Sequence, residues 1–268
     1  MESESDSAAV RSEIDSYLNS TDPAEQLVLH ELIVGLQRQT REEVNPKSDI
    51  VTPTFASSFL TRLKLFHAVH DGDQVLQKKP FEFAFRAASQ ADNKEAEITS
   101  SPTNPGPDVR VDETKYSLKT EAAQSIKRNH ITISKLMESA WTKDCTSLED
   151  FHAGLFRITD HLRSYDRILT LRAFGRLSKG EVRYDLVEIP TDLLLLIGES
   201  DVSEFGPITR AGGTTLPVKF REEPAFRAVF DGSDQKITIR NLRTALCLRH
   251  ASWSLLGGGG QDLWAVPR

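Results

Sequence analysis

The residues of this chain best suited to chemistry lie in segment 107–121, where acidic side chains and a lysine follow one another at strand-like spacing. The pattern predicts a β-hairpin in which Asp108 opens the first strand, a polar turn follows and a second strand returns. Because strand side chains alternate between faces, Ser117, Lys119 and Glu121 should share one polar face. Carboxylates beside a lysine can hold a divalent metal ion and activate a water against a phosphodiester. Phosphodiester cleavage is therefore the leading hypothesis.

The flanking sequence predicts the helices and strands that must position this hairpin. Apolar residues at helical spacing, together with capping residues, predict helices at 12–18, 23–36, 57–69, 79–91, 133–141 and 147–162, and one after Pro190. Apolar alternation and turn residues predict strands at 95–100, 167–174, 181–189, 225–230, 236–242 and 247–256. The chain therefore mixes helices and strands, and its last third is rich in strands.

Composition excludes several classes of protein. The two cysteines, Cys145 and Cys247, are far apart and belong to no CxxC pair, which argues against a disulfide scaffold or a zinc site. The longest apolar run, 193–197, is too short to span a membrane, and the acidic N-terminus does not resemble a signal peptide. We therefore expect a protein retained in the cytoplasm.

Charge is unevenly distributed along the chain. The net charge is −6, but residues 1–60 alone contain 11 acidic and 4 basic residues, so the remainder is about neutral. Residues 206–250 contain 8 basic and 4 acidic residues. A locally basic face is sufficient to bind phosphates, so the acidic total does not exclude a nucleic-acid partner.

The hairpin matches a known pattern. Asp108, followed after eight residues by Ser117-Leu118-Lys119, resembles the signature of the PD-(D/E)xK nuclease superfamily. The order of helix, strands, hairpin, helix and strand over about residues 78–175 is similar to the core of that superfamily. Among its members, the chain looks most like the type II restriction endonucleases, which are of similar length.

This resemblance implies an α/β fold with a restriction-endonuclease-like core, in which helices flank a central mixed β-sheet. It divides the chain into an N-terminal helical region at 1–76, a nuclease core with DNA-recognition elements at 77–256 and a flexible tail at 257–268. The implied activity is Mg²⁺-dependent, sequence-specific cleavage of double-stranded DNA that leaves 5′-phosphate ends. Because symmetric sites are usually read by two-fold dimers, a homodimer is expected.

The resemblance also implies roles for matching residues. Asp108 would bind the metal ion together with the Leu118 backbone carbonyl, and Lys119 would position the attacking water. Ser117 departs from the pattern because it stands where the family usually has a second acid. An ordinary charged hairpin tip remains the alternative for Asp108 and Lys119.

Three glutamates are candidates for the second acid. Glu121 is the first choice because it lies on the same strand face as Lys119, about 7 Å along the strand. Glu138, on the predicted helix downstream, is the second. Glu82 is the third, since the superfamily often has a glutamate on the helix before the hairpin, although a solvated helical glutamate is equally consistent with the sequence.

Candidate DNA contacts follow the hairpin, where Lys127, Arg128, Asn129 and His130 carry donors for phosphates or base edges. A solvated turn is the alternative interpretation, and Asn241 with Arg243 forms a comparable pair. His67-x-x-His70 lacks further ligands at zinc-like spacing, and Gly212-Gly213 lacks the lysine of a P-loop. Two other functions stay open, namely a structure-specific repair or recombination nuclease and a noncatalytic DNA-binding or regulatory protein.

Overall fold

Helices and strands alternate along the chain, as a mixed α/β fold requires. The computed structural model describes residues 2–70, 73–99 and 106–257. Within these ranges the helices are α1 (Glu2–Ser20), α2 (Pro23–Leu36), α3 (Pro53–Val69), α4 (Lys78–Ala91), α5 (Leu148–Ala153), α6 (Leu155–Arg163) and α7 (Thr191–Leu195). The strands are β1 (Thr40–Val44), β2 (Ala96–Ile98), β3 (Val109–Val111), β4 (Thr114–Glu121), β5 (His130–Glu138), β6 (Arg167–Arg176), β7 (Glu181–Ile189), β8 (Thr214–Phe220), β9 (Glu223–Asp231), β10 (Lys236–Arg243) and β11 (Leu248–Leu256).

Two sheets organise the fold. The central sheet has seven strands in the order β1-β11-β7-β6-β4-β3-β2, and it is mixed because β4 and β6 run parallel whereas the other neighbours run antiparallel. The second sheet has four antiparallel strands in the order β5-β10-β9-β8. The predicted α/β class with a central mixed sheet is confirmed.

Each sheet contributes to its own core. On the central sheet, α3 and α4 bury a cluster of aromatic rings in which Phe59 lies 4.7 Å from Trp253 and Phe55 lies 5.4 Å from Phe85, between ring centroids. The second sheet packs against α5, α6 and α7. The predicted apolar stripe Phe151, Leu155, Ile158 and Leu162 is buried there. Packing in these two cores holds the sheets in place, and the sheets in turn position the loops and strand ends between them.

The hairpin at 107–121 is confirmed. Val111 pairs with Thr114, so the turn consists of Asp112 and Glu113, and Asp112 adopts a positive φ of 50°. Aspartate tolerates this left-handed conformation better than most residues. The turn sends β4 back beside β3 and also into parallel pairing with β6.

The prediction of a helix at 133–141 is wrong, because this segment belongs largely to strand β5. Ile131 and Ile133 point into the second core, and Ile133 pairs with Ile239 of β10. The predicted helix at 147–162 is interrupted at Gly154, where an added Cβ would lie 2.2 Å from a ring atom of Trp141. Strands β1 and β8 were not predicted.

The predicted N-terminal region contributes to the central sheet. Strand β1 pairs with β11, and Phe55, Phe59 and Leu63 of α3 belong to the same core as Leu118. The division at residue 76 stays a prediction, as does the flexible tail, of which 258–268 lie outside the described residues.

Candidate active site

Asp108 is held at the start of the hairpin by strand β4. Its backbone N–H donates to the Tyr116 carbonyl over 2.8 Å. Its carboxylate atom Oδ2 accepts a hydrogen bond from the Leu118 N–H at 2.7 Å and lies 3.4 Å from the Ser117 hydroxyl. Ser117 is buried and donates to Asp108. The serine that departs from the family pattern therefore orients the aspartate.

Helix α4 brings a second carboxylate to the same place. Glu82 is only 4% exposed. The Lys78 ammonium lies 2.8 Å from Oδ1 of Asp108 and 3.9 Å from Oε1 of Glu82. Lys79 contacts the other oxygen of Glu82 at 2.8 Å. Since one cation lies within 4 Å of both carboxylates, the two acids converge on a common cation position.

Lys119 lies between the two sheets. Its Nζ is 3.4 Å from the carbonyl oxygen of Leu136 in β5. Burial lowers the pKa of Lys119 to about 8, although the attraction of Asp108 acts in the opposite direction. The structure thus gathers Asp108, Lys119, Ser117, Leu118 and Glu82 around one position.

His161 of α6 approaches the same carbonyl, and Tyr165, in the turn after α6, contacts His161; the sequence did not reveal either contact. The His161 atom Nε2 lies 3.3 Å from the Leu136 carbonyl oxygen and 3.2 Å from the Tyr165 hydroxyl. Burial lowers the pKa of His161, and the charge of Lys119 lowers it further. A lysine and a histidine therefore share one backbone acceptor beside the acids.

Glu121 makes different contacts. It is buried, its Oε2 lies 2.6 Å from Nε of Arg172, and its Oε1 accepts from the Thr132 N–H at 2.8 Å. Burial raises the pKa of Glu121, and Arg172 opposes that rise. Glu121 lies on the face of β4 that alternation predicts. One of its carboxylate oxygens pairs with Arg172, and the other accepts a hydrogen bond from the backbone of strand β5.

Comparisons with known proteins decide the family. The model of a family described as SmaI, type II site-specific deoxyribonuclease, matches residues 28–255. The type II restriction enzyme SmaI of Serratia marcescens is 32% identical to the chain over 214 residues, which are 78% of this chain and 82% of that enzyme. The chain belongs to the SmaI family of type II site-specific deoxyribonucleases. No solved structure gave a significant match.

Membership of the SmaI family confirms the expected restriction endonuclease, an enzyme that cuts DNA at a specific sequence. DNA is accordingly its substrate. Among the helices that the structure describes, none is both long and apolar enough to cross a membrane.

The predicted DNA-contact segment of this SmaI-family enzyme is anchored by a buried arginine. The Arg172 guanidinium donates to the carbonyl oxygens of Lys127 at 2.6 Å, Arg128 at 3.1 Å and His130 at 2.7 Å. The side chains of Lys127, Arg128 and Asn129 are exposed. Arg172, paired with Glu121, therefore fixes the backbone from which these side chains project.

The remaining sequence candidates lie apart from the acids of the site. Glu138 is an exposed residue of β5 whose side chain pairs with Lys135 at 2.8 Å. His67 is buried against the Tyr184 hydroxyl, and burial lowers the pKa of this histidine to about 4. His70 instead contacts the backbone carbonyl of Phe66. The two histidines thus have separate partners.

A second group of possible metal ligands consists of Asp49, Glu188 and His250. The Arg167 guanidinium already pairs with both carboxylates, at 2.7 Å from Asp49 and 2.5 Å from Glu188, and the His250 Nε2–H donates to Glu188 at 2.8 Å. Burial alone would raise the pKa of Glu188, but its hydrogen bonds with His250 and Arg167 lower it. Because the arginine neutralises both carboxylates, this group of residues is better suited to joining the Asp49 loop to strands β7 and β11 than to holding a metal ion.

Proposed function

We propose that this SmaI-family enzyme hydrolyses double-stranded DNA in a Mg²⁺-dependent reaction at the Asp108 site. Asp108, Glu82 and the Leu118 backbone carbonyl would hold the ion, and Lys119 would position the attacking water. One observation carries the proposal: the Lys78 ammonium lies within 4 Å of a carboxylate oxygen of both Asp108 and Glu82. Two carboxylates that accommodate one cation form the oxygen-rich set that Mg²⁺ prefers.

The backbone supports Leu118 as the third ligand. The N–H of Leu118 points at the Asp108 carboxylate. In a β-strand the N–H and C=O of one residue project toward the same side, as the paired bonds of an antiparallel ladder show. The Leu118 carbonyl is therefore directed toward the side of β4 on which Asp108 lies.

In the proposed reaction, each residue has a distinct task. A bound Mg²⁺ ion would supply positive charge at the phosphate and favour ionisation of a water molecule. Lys119, held at the Leu136 carbonyl, orients that water toward phosphorus, and Ser117 keeps Asp108 in place. Attack by the water with departure of the 3′-oxygen leaves 5′-phosphate and 3′-hydroxyl ends.

The choice of Glu82 as the second acid differs from the sequence-based prediction, which favoured Glu121. Glu121 as a ligand would have to give up Arg172, and a buried arginine without a partner is costly. Glu82 contacts the ammonium groups of Lys78 and Lys79, and Lys78 also contacts Asp108. Both lysines have long, flexible side chains. The contacts therefore support Glu82 as the ligand and Glu121 as a structural residue.

Calcium binding and DNA cleavage test this assignment together. Glu82→Gln and Asp108→Asn should weaken Ca²⁺ binding in calorimetry at least tenfold and abolish Mg²⁺-dependent cleavage, with unchanged circular dichroism. Glu121→Gln should bind Ca²⁺ as the wild type does but unfold at lower urea concentration. Glu138→Gln, at an exposed glutamate, is the matched control. Loss of Ca²⁺ binding in Glu121→Gln with full binding in Glu82→Gln would contradict the assignment.

We further propose that the enzyme acts as a homodimer joined through α1 and α2. Large apolar side chains on these helices are exposed: Val10, Ile14, Tyr17, Leu18, Leu27, Val28, Ile33, Val34 and Leu36. Helices of this length are seldom stable in water without an apolar face packed against a partner. A second copy also supplies the two-fold symmetry that suits a symmetric DNA site.

Sedimentation velocity tests the dimer. The wild type should sediment as a dimer, and the double variant Leu27→Lys, Ile33→Lys should sediment as a monomer. Phe156→Lys, at an exposed apolar residue of α6, should leave the dimer intact. A wild-type monomer at every concentration, or a double variant that stays dimeric, would refute the interface.

A further inference from the structure

Two arginines face each other on the solvent side of the second sheet. Arg240 of β10 and Arg227 of β9 are register partners, and both are exposed. Their strand neighbours Ile239 and Ala228 are buried in the second core, so the two guanidinium groups share the outer face. Like charges directly opposite each other destabilise a sheet. An anion near each guanidinium group would offset this repulsion.

Two acidic residues at the turn between β9 and β10 are already engaged elsewhere. Among the ion pairs of the described residues, none involves Arg227 or Arg240. At the end of the same hairpin, Asp234 pairs with Lys236 at 2.6 Å, and Asp231 accepts hydrogen bonds from the backbone of the turn. The arginine pair, Arg227 and Arg240, therefore projects toward solvent without an ion pair to any described residue.

The arginine pair lies on the sheet that borders the active site. Lys119 contacts one edge of strand β5 at the Leu136 carbonyl, and β10 pairs with the other edge. From β5 to β9 is two strand spacings, or about 10 Å, and Arg240 lies about two residues, or about 7 Å, along β10 from the point that faces Leu136. Phosphates along one DNA strand advance by about 3.4 Å each, so a strand crossing β5 at Lys119 has several phosphates within that span.

We propose that the arginine pair binds phosphates of the DNA backbone that flank the scissile bond, an inference that rests on the active site proposed at Asp108 and Lys119. Exposed arginines suit this role because the guanidinium group forms bidentate hydrogen bonds to phosphate oxygens. A phosphate held by each side chain would also offset the repulsion between them. The surface is distinct from the segment 127–130, and it enlarges the DNA contact to the second sheet.

The salt dependence of DNA binding tests the proposal. Affinity is measured by fluorescence anisotropy with Ca²⁺ and a short duplex that contains the cleavage site mapped by plasmid digestion, and with a scrambled duplex. For Arg227→Gln and Arg240→Gln, the slope of log affinity against log salt should become shallower by about 0.9 each, and by about 1.8 in the double variant. Both duplexes should be affected alike, and the urea midpoint should be unchanged or raised.

Arg41→Gln is the matched control, because Arg41 is an exposed strand arginine at the far edge of the central sheet. Its slope should stay that of the wild type. An unchanged slope in the double variant, or an equal change in Arg41→Gln, would overturn the proposal. Weaker binding of the cognate duplex alone, at an unchanged slope, would assign the pair to base reading and would overturn the phosphate contact.

Discussion

Replacing Lys119 by methionine should abolish cleavage and yet stabilise the protein. The pKa of Lys119 is lowered from 10.5 to about 8, mainly by burial. Each pKa unit corresponds to about 1.4 kcal/mol, so keeping this lysine charged costs the folded state up to about 3.5 kcal/mol. The side chain retains some exposure, which reduces the cost, and we expect Lys119→Met to gain about 1 to 3 kcal/mol at pH 7. Methionine keeps the length of the side chain without the charge.

The pH dependence of stability is a second test of whether the charge of Lys119 destabilises the folded state. Between about pH 8 and 10.5 the unfolded chain holds the Lys119 proton and the folded chain does not, so this group makes the wild type more stable as pH rises. Below pH 8 its cost is constant. The difference between Lys119→Met and wild type should therefore be largest below pH 8 and shrink toward pH 10.5.

Urea unfolding followed by circular dichroism at pH 7 and at pH 10 measures both effects. Lys135→Met is the control, because Lys135 is exposed and should change stability by no more than about 0.5 kcal/mol. A Lys119→Met variant less stable than wild type at pH 7 would refute the reasoning. So would a difference in stability that does not vary with pH.

Three further predictions concern neighbours of the site. Arg172→Met leaves Glu121 buried without its partner and should cost about 3 to 5 kcal/mol in urea unfolding, with faster proteolysis within segment 122–129. His161→Phe should lower kcat more than it changes KM, and it should change the pH profile of cleavage, because His161 shares an acceptor with Lys119, the lysine proposed to position the water; His161→Gln, which can still donate a hydrogen bond, should restore part of the rate. Lys78→Met should tighten Ca²⁺ binding in calorimetry at least threefold, because the Lys78 ammonium and the ion would compete for Oδ1 of Asp108, and unchanged affinity would show that they do not compete.

Local patterns predicted the hairpin because its information lies within fifteen residues. Alternation and the polar residues from Asp112 to Lys115 were sufficient to predict the hairpin, although the turn itself consists only of Asp112 and Glu113. Strand β5 could not be predicted in the same way. Its sequence is compatible with a helix, and its strand form is fixed by pairing with β10, which follows about a hundred residues later.

The pairing of Glu121 with Arg172 could not be predicted for the same physical reason. Alternation correctly put Glu121 on the face of Lys119, but strand periodicity contains no information about Arg172, which arrives on β6 from fifty residues downstream. His161 was missed because nothing local shows that α6 reaches the Leu136 carbonyl. Partners that come from distant strands and helices decide which of several charged residues remain available to a metal ion.

The start of α4 shows how the site departs from ordinary helix design. Its first turn contains no acidic residue, its N-cap Gln77 makes no side-chain cap, and Lys78 and Lys79 place positive charge at the positive end of the helix dipole. Each feature disfavours the helix locally. The two lysines are instead held by Glu82 and Asp108, so the acids of the site compensate for the unfavourable helix start. A segment that breaks local rules beside converging carboxylates is where function is expected to have been favoured over stability.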